Sequence, residues 1–239
     1  KSCIHSKSLS YAKQVYSHIA RHGIELRGLL GDYLVVALAK CGAIEEAIEA
    51  SITLSRRTVF SWSAMISSYA ELGHGHDALR LYQHMQKDGV EPNHFTFVSL
   101  FQACGSIGDL DQAKKLHNEA SGKGFLRNPF VGNSLISMYT KCGAIKEAED
   151  AFAGLLDRNV VAWNTMLSAY IQRGQAEKTL FLYRQMQEEG ETPDHLTVMI
   201  SLQACGILAD REKVFISKRK SVRSASFIMG QTLHADACK

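Results

Sequence analysis

Six cysteines, ten histidines and one His-x-Glu triplet have the widest chemical reach in this 239-residue chain, and their spacing decides how much of it is used. No two cysteines stand in a C-x-x-C pair, the spacing that zinc and dithiol redox sites favour. Five of them fall into two recurring sets, Cys41 with Cys142 and Cys3 with Cys104 and Cys205, and read as small apolar residues near helix ends. Cys238 belongs to neither set, and free thiols of this kind fit a reducing compartment. His117-Asn118-Glu119 spells the H-x-E of zinc deaminases, in which the metal activates water and the Glu moves protons, but no C-x-x-C follows it. Gly-rich phosphate loops, nucleophile elbows and paired-His metal motifs do not occur either. The sequence therefore predicts no catalytic residue, no metal and no cofactor. The densest charge is a basic run of Arg211, Lys213, Lys218, Arg219, Lys220 and Arg223, which reads first as a solvated surface and second as a phosphate contact.

The rest of the chain is scaffolding. Trp163, Met166, Leu167 and Tyr170 fall at i, i+3, i+4 and i+7, the stripe of an amphipathic helix, and Gly174 breaks it. Leu182, Tyr183 and Met186 mark a second helix that Gly190 and Pro193 stop, since Gly ends helices cheaply and Pro cannot continue one. One such pair cannot bury both apolar faces, so it needs neighbours on either side. A shift of 101 residues reveals them: Trp62 falls on Trp163, Tyr69 on Tyr170, Met85-Gln86 on Met186-Gln187 and Pro92 on Pro193. Lys40-Cys41-Gly42-Ala43-Ile44 recurs as Lys141-Cys142-Gly143-Ala144-Ile145, and Gln102-Ala103-Cys104-Gly105 as Gln203-Ala204-Cys205-Gly206.

The 101 residues divide into units of 35, 35 and 31. A partial long unit at 1–27 carries a helix near Leu9 to Arg21 and a stop at Gly23; a short unit at 28–58 carries helices near Tyr33 to Lys40 and Ile44 to Thr53. A Trp unit follows at 59–93, then a long unit at 94–128 whose first helix ends at Ala103-Cys104-Gly105 and whose second opens on Asp109. The short and Trp units return at 129–159 and 160–194. The last unit, 195–239, is again partial: Leu233-His234 matches Leu116-His117 only if about 16 residues are inserted near 210–226, delaying the second helix past Gly206. Pro92, Pro129 and Pro193 all sit at unit junctions.

Composition agrees with a folded array. A hydrophobic content of 46% with 3 Pro and regular stripes excludes a disordered chain, and a net charge of +3 is too small to indicate nucleic acid by itself. The most apolar stretch, Leu29 to Ile44, is interrupted by Asp32 and Lys40, so no membrane span is predicted. The chain opens on Lys1, not Met, and is expected to be a piece of a longer protein; its lack of a targeting peptide carries no information.

The alternation of three unit types, with V-x-x-W-N-x-M at Val160 to Met166, Q-A-C-G at Gln102, F-V-G-N-S-L-I-S-M-Y at Phe130 and K-C-G-A-I twice, resembles the pentatricopeptide repeat family. It is most similar to the plant class with P, L and S repeats. A tetratricopeptide array would instead keep a uniform 34-residue period with Leu-Gly after its Trp. The resemblance implies an all-α, right-handed α-solenoid of helix-turn-helix repeats that binds single-stranded RNA, in a mitochondrial or chloroplast protein that directs RNA processing or C-to-U editing alongside protein partners, with no membrane. In that family each unit meets one base through two or three side chains.

The resemblance places the fifth residue of a unit at the base edge and the last residue beside it; amides and carboxylates suit a Watson–Crick edge. Asn164 with Asp194 is the combination associated with uracil, Asn133 with Asn159 favours a pyrimidine, and Ser63 with Asn93 is close to the pair associated with adenine. Asp32 with Thr58 departs from the pattern, and Val98 and Met199 cannot read polarity. The second residues, among them Phe60, Phe95, Phe130 and Val161, are expected to flank the bases or to pack between repeats. Lys40 and Lys141 are candidate phosphate contacts. A protein-binding scaffold of the same architecture is the alternative, and it needs no polar fifth column.

Overall fold

The computed structural model describes residues 2–22, 29–54 and 57–216. The Gly23 stop, the match at Leu233-His234, Cys238 and the basic residues Lys218, Arg219, Lys220 and Arg223 lie outside the described residues. Among the described residues every regular element is helical. The chain divides into two compact units, Lys1–Gly143 and Ala144–Lys239.

The first unit contains α1 (Ser2–Arg21), α2 (Leu29–Lys40), α3 (Ile44–Thr53), α4 (Val59–Glu71), α5 (Gly75–Lys87), α6 (His94–Ile107), α7 (Leu110–Gly122), a single 3-10 turn at Phe125–Arg127, and α8 (Pro129–Lys141). The helices alternate between two rows. In one row α2 packs on α4, α4 on α6 and α6 on α8; α3, α5 and α7 each bridge two neighbours of that row. The apolar stripes explain the arrangement, because Trp62, Met65, Ile66, Met85, Phe97, Leu100 and Phe101 are all buried. Packing is close enough to demand glycine at Gly75, where a Cβ would stand 2.7 Å from the Ala103 carbonyl oxygen and from Ile107 Cγ2.

The second unit contains α9 (Ile145–Ala153), α10 (Val160–Gln172), α11 (Ala176–Glu188) and α12 (His195–Ile216). Trp163, Met166, Leu167, Leu182, Tyr183 and Met186, residues of the predicted stripes, are buried where α10 and α11 meet each other and their neighbours α9 and α12.

Three helix limits differ from the sequence reading. α1 and α2 start earlier than Leu9 and Tyr33, and α6 runs two residues past Gly105 to Ile107. α6 stops because Gly108 adopts φ 70° and its N–H closes on the Cys104 carbonyl at 2.9 Å. Ala209 occupies the matching place in the last unit, where a Cβ disfavours that left-handed turn, and α12 continues through Gly206 and Ala209 without a break. The delay of the next helix is thus a helical extension as far as Ile216. Arg211 on this extension donates to the Gly174 carbonyl at 2.8 Å and approaches Glu177 at 3.3 Å, so this member of the basic run is engaged within the protein.

Candidate nucleic-acid interface

Where its side chain is described, the second residue of a repeat stands at the start of that repeat's first helix and is exposed. Phe60, Phe95 and Phe130 are 63%, 62% and 73% exposed, and Val161 is 54% exposed. Aromatic side chains of this size are ordinarily covered in a folded chain. Here α4, α6 and α8 are successive neighbours, so the first unit displays one uncovered aromatic ring per helix along one row. Inter-repeat packing does not account for rings this open. The fifth residue lies three places on, over the same face of its helix.

Five repeats end on a residue that caps the helix after it. Thr58, Asn93, Asn128, Asn159 and Asp194 are the N-caps of α4, α6, α8, α10 and α12. Asn93 Oδ1 accepts from Thr96 N–H at 3.0 Å, Asn159 Oδ1 from Ala162 N–H at 3.1 Å and Asp194 Oδ1 from Thr197 N–H at 2.8 Å. Short side chains with an acceptor are what a helix start demands, so capping alone explains the residue types in this column.

Capping does not explain the contacts to the fifth residue. Asn164 Nδ2 donates to Asp194 Oδ1 at 3.0 Å, and the Thr197 hydroxyl reaches Asn164 Oδ1 at 2.6 Å and Asp194 Oδ1 at 2.8 Å. In the first unit Ser63 Oγ lies 2.7 Å from Thr96 Oγ1, which donates to Asn93 Oδ1 at 3.1 Å. A three-membered polar cluster thus forms once in each compact unit, from residues on the first helices of two consecutive repeats. Burial works against the charge on Asp194, but the hydrogen bonds from Thr197 and Asn164 outweigh it and hold the carboxyl below its usual value. Ser63 and Asn164 are recessed, at 9% and 7% exposure. Asn133 is half-buried on α8 of the first unit, and Asn159 caps α10 of the second.

The structure brings Thr96 and Thr197 into these clusters, and sequence reasoning passed over both. Their signal was available, because they match each other at the same shift of 101 residues. Asp32 is 5% exposed, and among the described residues neither of its carboxylate oxygens has a hydrogen-bond partner. Met199 is exposed and Val98 half-buried. Lys40 and Lys141 end α2 and α8 with exposed side chains, and the Lys141 stem lies over Gly105, whose Cβ would be 3.1 Å from Lys141 Cδ.

The H-x-E triplet is spent on packing. His117 Nδ1 stands 2.8 Å from the Tyr139 hydroxyl, burial lowers the His117 pKa, and Glu119 accepts from the Tyr82 hydroxyl. Cys104 is buried, which pushes its thiol up to about 12, and the Cys142 thiol faces the Cys104 carbonyl at 3.7 Å. Among the described residues, no three His, Cys, Asp or Glu side chains gather as metal ligands would, and no helix is long and apolar enough to cross a membrane.

Comparison with known proteins places these features in a family. The PPR repeat family matches residues 57–106 and 158–206, and the PPR repeat matches 95–125 and 133–160. A chloroplastic pentatricopeptide repeat-containing protein of Arabidopsis thaliana is 34% identical over 206 residues, covering 86% of this chain and 33% of the relative. Another from the same plant, also named chloroplastic, is 35% identical over 190 residues, covering 74% of this chain and 36% of the relative. The chain therefore spans about a third of the length of these relatives. The crystal structure of the pentatricopeptide repeat protein PPR10 in complex with an 18-nt psaJ RNA element aligns with a TM-score of 0.70 at 18% identity, over 96% of this chain and 37% of that one. The likeness shows the α-solenoid fold class expected from the helical pattern. Since the matched segments take in both Trp hairpins and both polar clusters, the chain belongs to the pentatricopeptide repeat family.

Proposed function

We propose that this chain is the RNA-reading array of a plant P-L-S-class pentatricopeptide protein, and that it binds single-stranded RNA one base per unit. The observation that carries the reading is the row of uncovered rings, Phe60, Phe95 and Phe130, each three places before a fifth residue on the same helix. An exposed aromatic can stack on an unpaired base of any identity, and a polar group beside it can then test the base edge. Val161 serves the same purpose beside Asn164. Asn164 with Asp194 reads uracil, Asn133 with Asn159 a pyrimidine, and Ser63 with Asn93 adenine; Lys40 and Lys141 neutralise phosphates. The bound RNA in the PPR10 complex supports this reading. The whole protein acts in RNA processing or C-to-U editing in a chloroplast or mitochondrion, with editing or processing proteins as partners; relatives named chloroplastic support an organelle. The array itself contributes binding and no catalysis.

Fluorescence anisotropy tests the proposal. The probe is a labelled single-stranded RNA with adenine, a pyrimidine and uracil at the spacing of the three units, titrated across a salt series. Binding should weaken with salt, prefer the single strand to its duplex, and drop when uracil is replaced or when Asn164→Ala is introduced. Binding indifferent to both changes leaves backbone attraction alone. No binding by folded protein at low salt favours the protein scaffold.

A further inference from the structure

We infer that Thr96 and Thr197 are positioning residues that set the direction in which the base-reading side chain presents its donor and acceptor. The inference rests on the RNA-reading proposal and adds a third residue, from the following repeat, to two of the three reading pairs, since Ala162 follows the Asn133 repeat.

Thr197 carries one hydroxyl proton and has two acceptors within reach, Asn164 Oδ1 at 2.6 Å and Asp194 Oδ1 at 2.8 Å. Its own oxygen accepts from the Asp194 backbone N–H at 3.2 Å. A carboxylate only accepts, so Asn164 turns its Nδ2 towards Asp194, at 3.0 Å, and its Oδ1 towards Thr197. An amide rotated by 180° would set Oδ1 against a carboxylate oxygen, so Asp194 holds Nδ2 on its side, and the Thr197 proton then goes to Asn164 Oδ1 and closes the arrangement. Two neighbours thus hold one of the two orientations that amides of this kind otherwise exchange. What remains for a base is the second Nδ2 proton and the second lone pair of Oδ1, in a fixed order along the edge.

That order matters because uracil and cytosine differ by it. Uracil presents a donor at N3 beside an acceptor at O4, and cytosine presents an acceptor at N3 beside a donor at N4. Fixing the amide chooses between them, and releasing it blurs the choice.

Thr96 works on a hydroxyl in the same manner. It donates to Asn93 Oδ1 at 3.1 Å and lies 2.7 Å from Ser63 Oγ. When its proton goes to Asn93, the Ser63 proton must point at Thr96, and Ser63 then offers only lone pairs to a ligand. Those lone pairs suit the amino group of adenine. Thr96 and Thr197 are fully buried, so neither touches RNA. At the corresponding third place the other units carry Leu30, Ser61, Val131 and Ala162, and Val131 follows a unit whose fifth residue, Val98, has no polarity to set.

The test compares the affinities of the full chain for the anisotropy probe with uracil or cytosine facing Asn164. Wild type prefers uracil. Thr197→Val, close in shape, should cut the uracil-to-cytosine ratio by about three- to tenfold, the effect of one net hydrogen bond, and Thr197→Ser should restore it. A merely structural role would lower affinity for both RNAs and leave the ratio unchanged. An unchanged ratio in Thr197→Val, with the ratio lost in Asn164→Ala, overturns the positioning role and leaves base reading intact. No ratio in wild type and no effect of Asn164→Ala defeats base reading, and this inference with it. Should Thr197→Val fail to fold, Thr96→Val with adenine or guanine facing Ser63 gives the same decision: a reduced adenine preference supports the role, and an unchanged one overturns it.

Discussion

The two Trp hairpins, α4 with α5 and α10 with α11, began as one sequence pattern and are held differently. Trp163 donates its indole N–H to the Arg158 carbonyl at 2.9 Å and stands edge-on to Phe152 with ring centroids 4.8 Å apart. Trp62 is as deeply buried, yet among the described residues its indole nitrogen has no acceptor, and Ser51 occupies the place of Phe152. Tyr170 donates to Glu149 at 2.7 Å, and Lys178 joins the same carboxylate at 3.1 Å. Ile48 replaces that glutamate in the earlier copy, where Tyr69 meets the edge of His74 instead. The apolar stripe that defines a repeat is therefore shared, while the polar bonds that fasten it are local to each copy. An array of this kind can adjust the stability of single repeats without changing the fold.

The largest effect that would break this comparison is on the tryptophans. Trp163→Ala should cost about 3–5 kcal/mol in urea unfolding, as for other buried aromatics. Phenylalanine sharpens the contrast. Trp163→Phe leaves the Arg158 carbonyl without its donor and should cost about 1–3 kcal/mol, whereas Trp62→Phe removes a buried donor that has no acceptor and should cost less. Equal losses at both sites would mean that the indole hydrogen bond contributes nothing.

Converting one reading pair into the other is the next test. Ser63→Asn with Asn93→Asp gives the earlier copy the side chains of the later one, with Thr96 already in place of Thr197. The base preferred there should move from adenine to uracil by about tenfold or more, as a good polar pair discriminates by about 1–3 kcal/mol. Anisotropy with adenine or uracil at that position reads it. An unaltered preference would mean that the pair does not set the base.

Tyr170→Phe should destabilise by about 0.5–1.5 kcal/mol, the net worth of one hydrogen bond, and Tyr69→Phe by less. Thermal unfolding of both variants decides it.

These contrasts also mark how much the sequence disclosed. The apolar positions, Trp62 and Trp163 among them, were legible because burial imposes a 3.6-residue period, and the positive-φ stops at Gly174 and Gly190 because few other residues turn that way. The Asp109 cap was legible for its chemistry; it accepts from Gln112 N–H at 3.0 Å. Helix ends were harder. Nothing periodic says that Ala209 lets α12 run on where Gly108 stops α6. The polar clusters were half legible, since Asn164 and Asp194 stood out in register while Thr197, a common residue at a helix start, gave no sign of whom it would meet. Neither did the sequence say that Thr58, Asn93, Asn128, Asn159 and Asp194 each cap the helix that follows, because that bond joins two repeats.

The smallest effect separates the copies by pH. Asp194 caps α12 with a carboxylate, and Asn93 caps α6 with an amide that does not titrate. Hydrogen bonds from Thr197 and Asn164, working against burial, keep Asp194 below its usual pKa, and the bond from Tyr170, again against burial and aided by Lys178, lowers Glu149. A carboxyl whose folded pKa lies below its unfolded value adds stability above that unfolded value, about 4 for both types, and loses it as pH falls through the folded value. Acid should therefore loosen the start of α12 before the start of α6. Amide hydrogen exchange between pH 7 and 3, corrected for the intrinsic rate, should show protection around Thr197 falling while that around Thr96 holds. Asp194→Asn should start lower at neutral pH and lose nothing further on acidification, making the α12 start behave like that of α6. If both starts lose protection in parallel, or if Asp194→Asn keeps the acid response, the carboxylate cap is not what distinguishes the two copies.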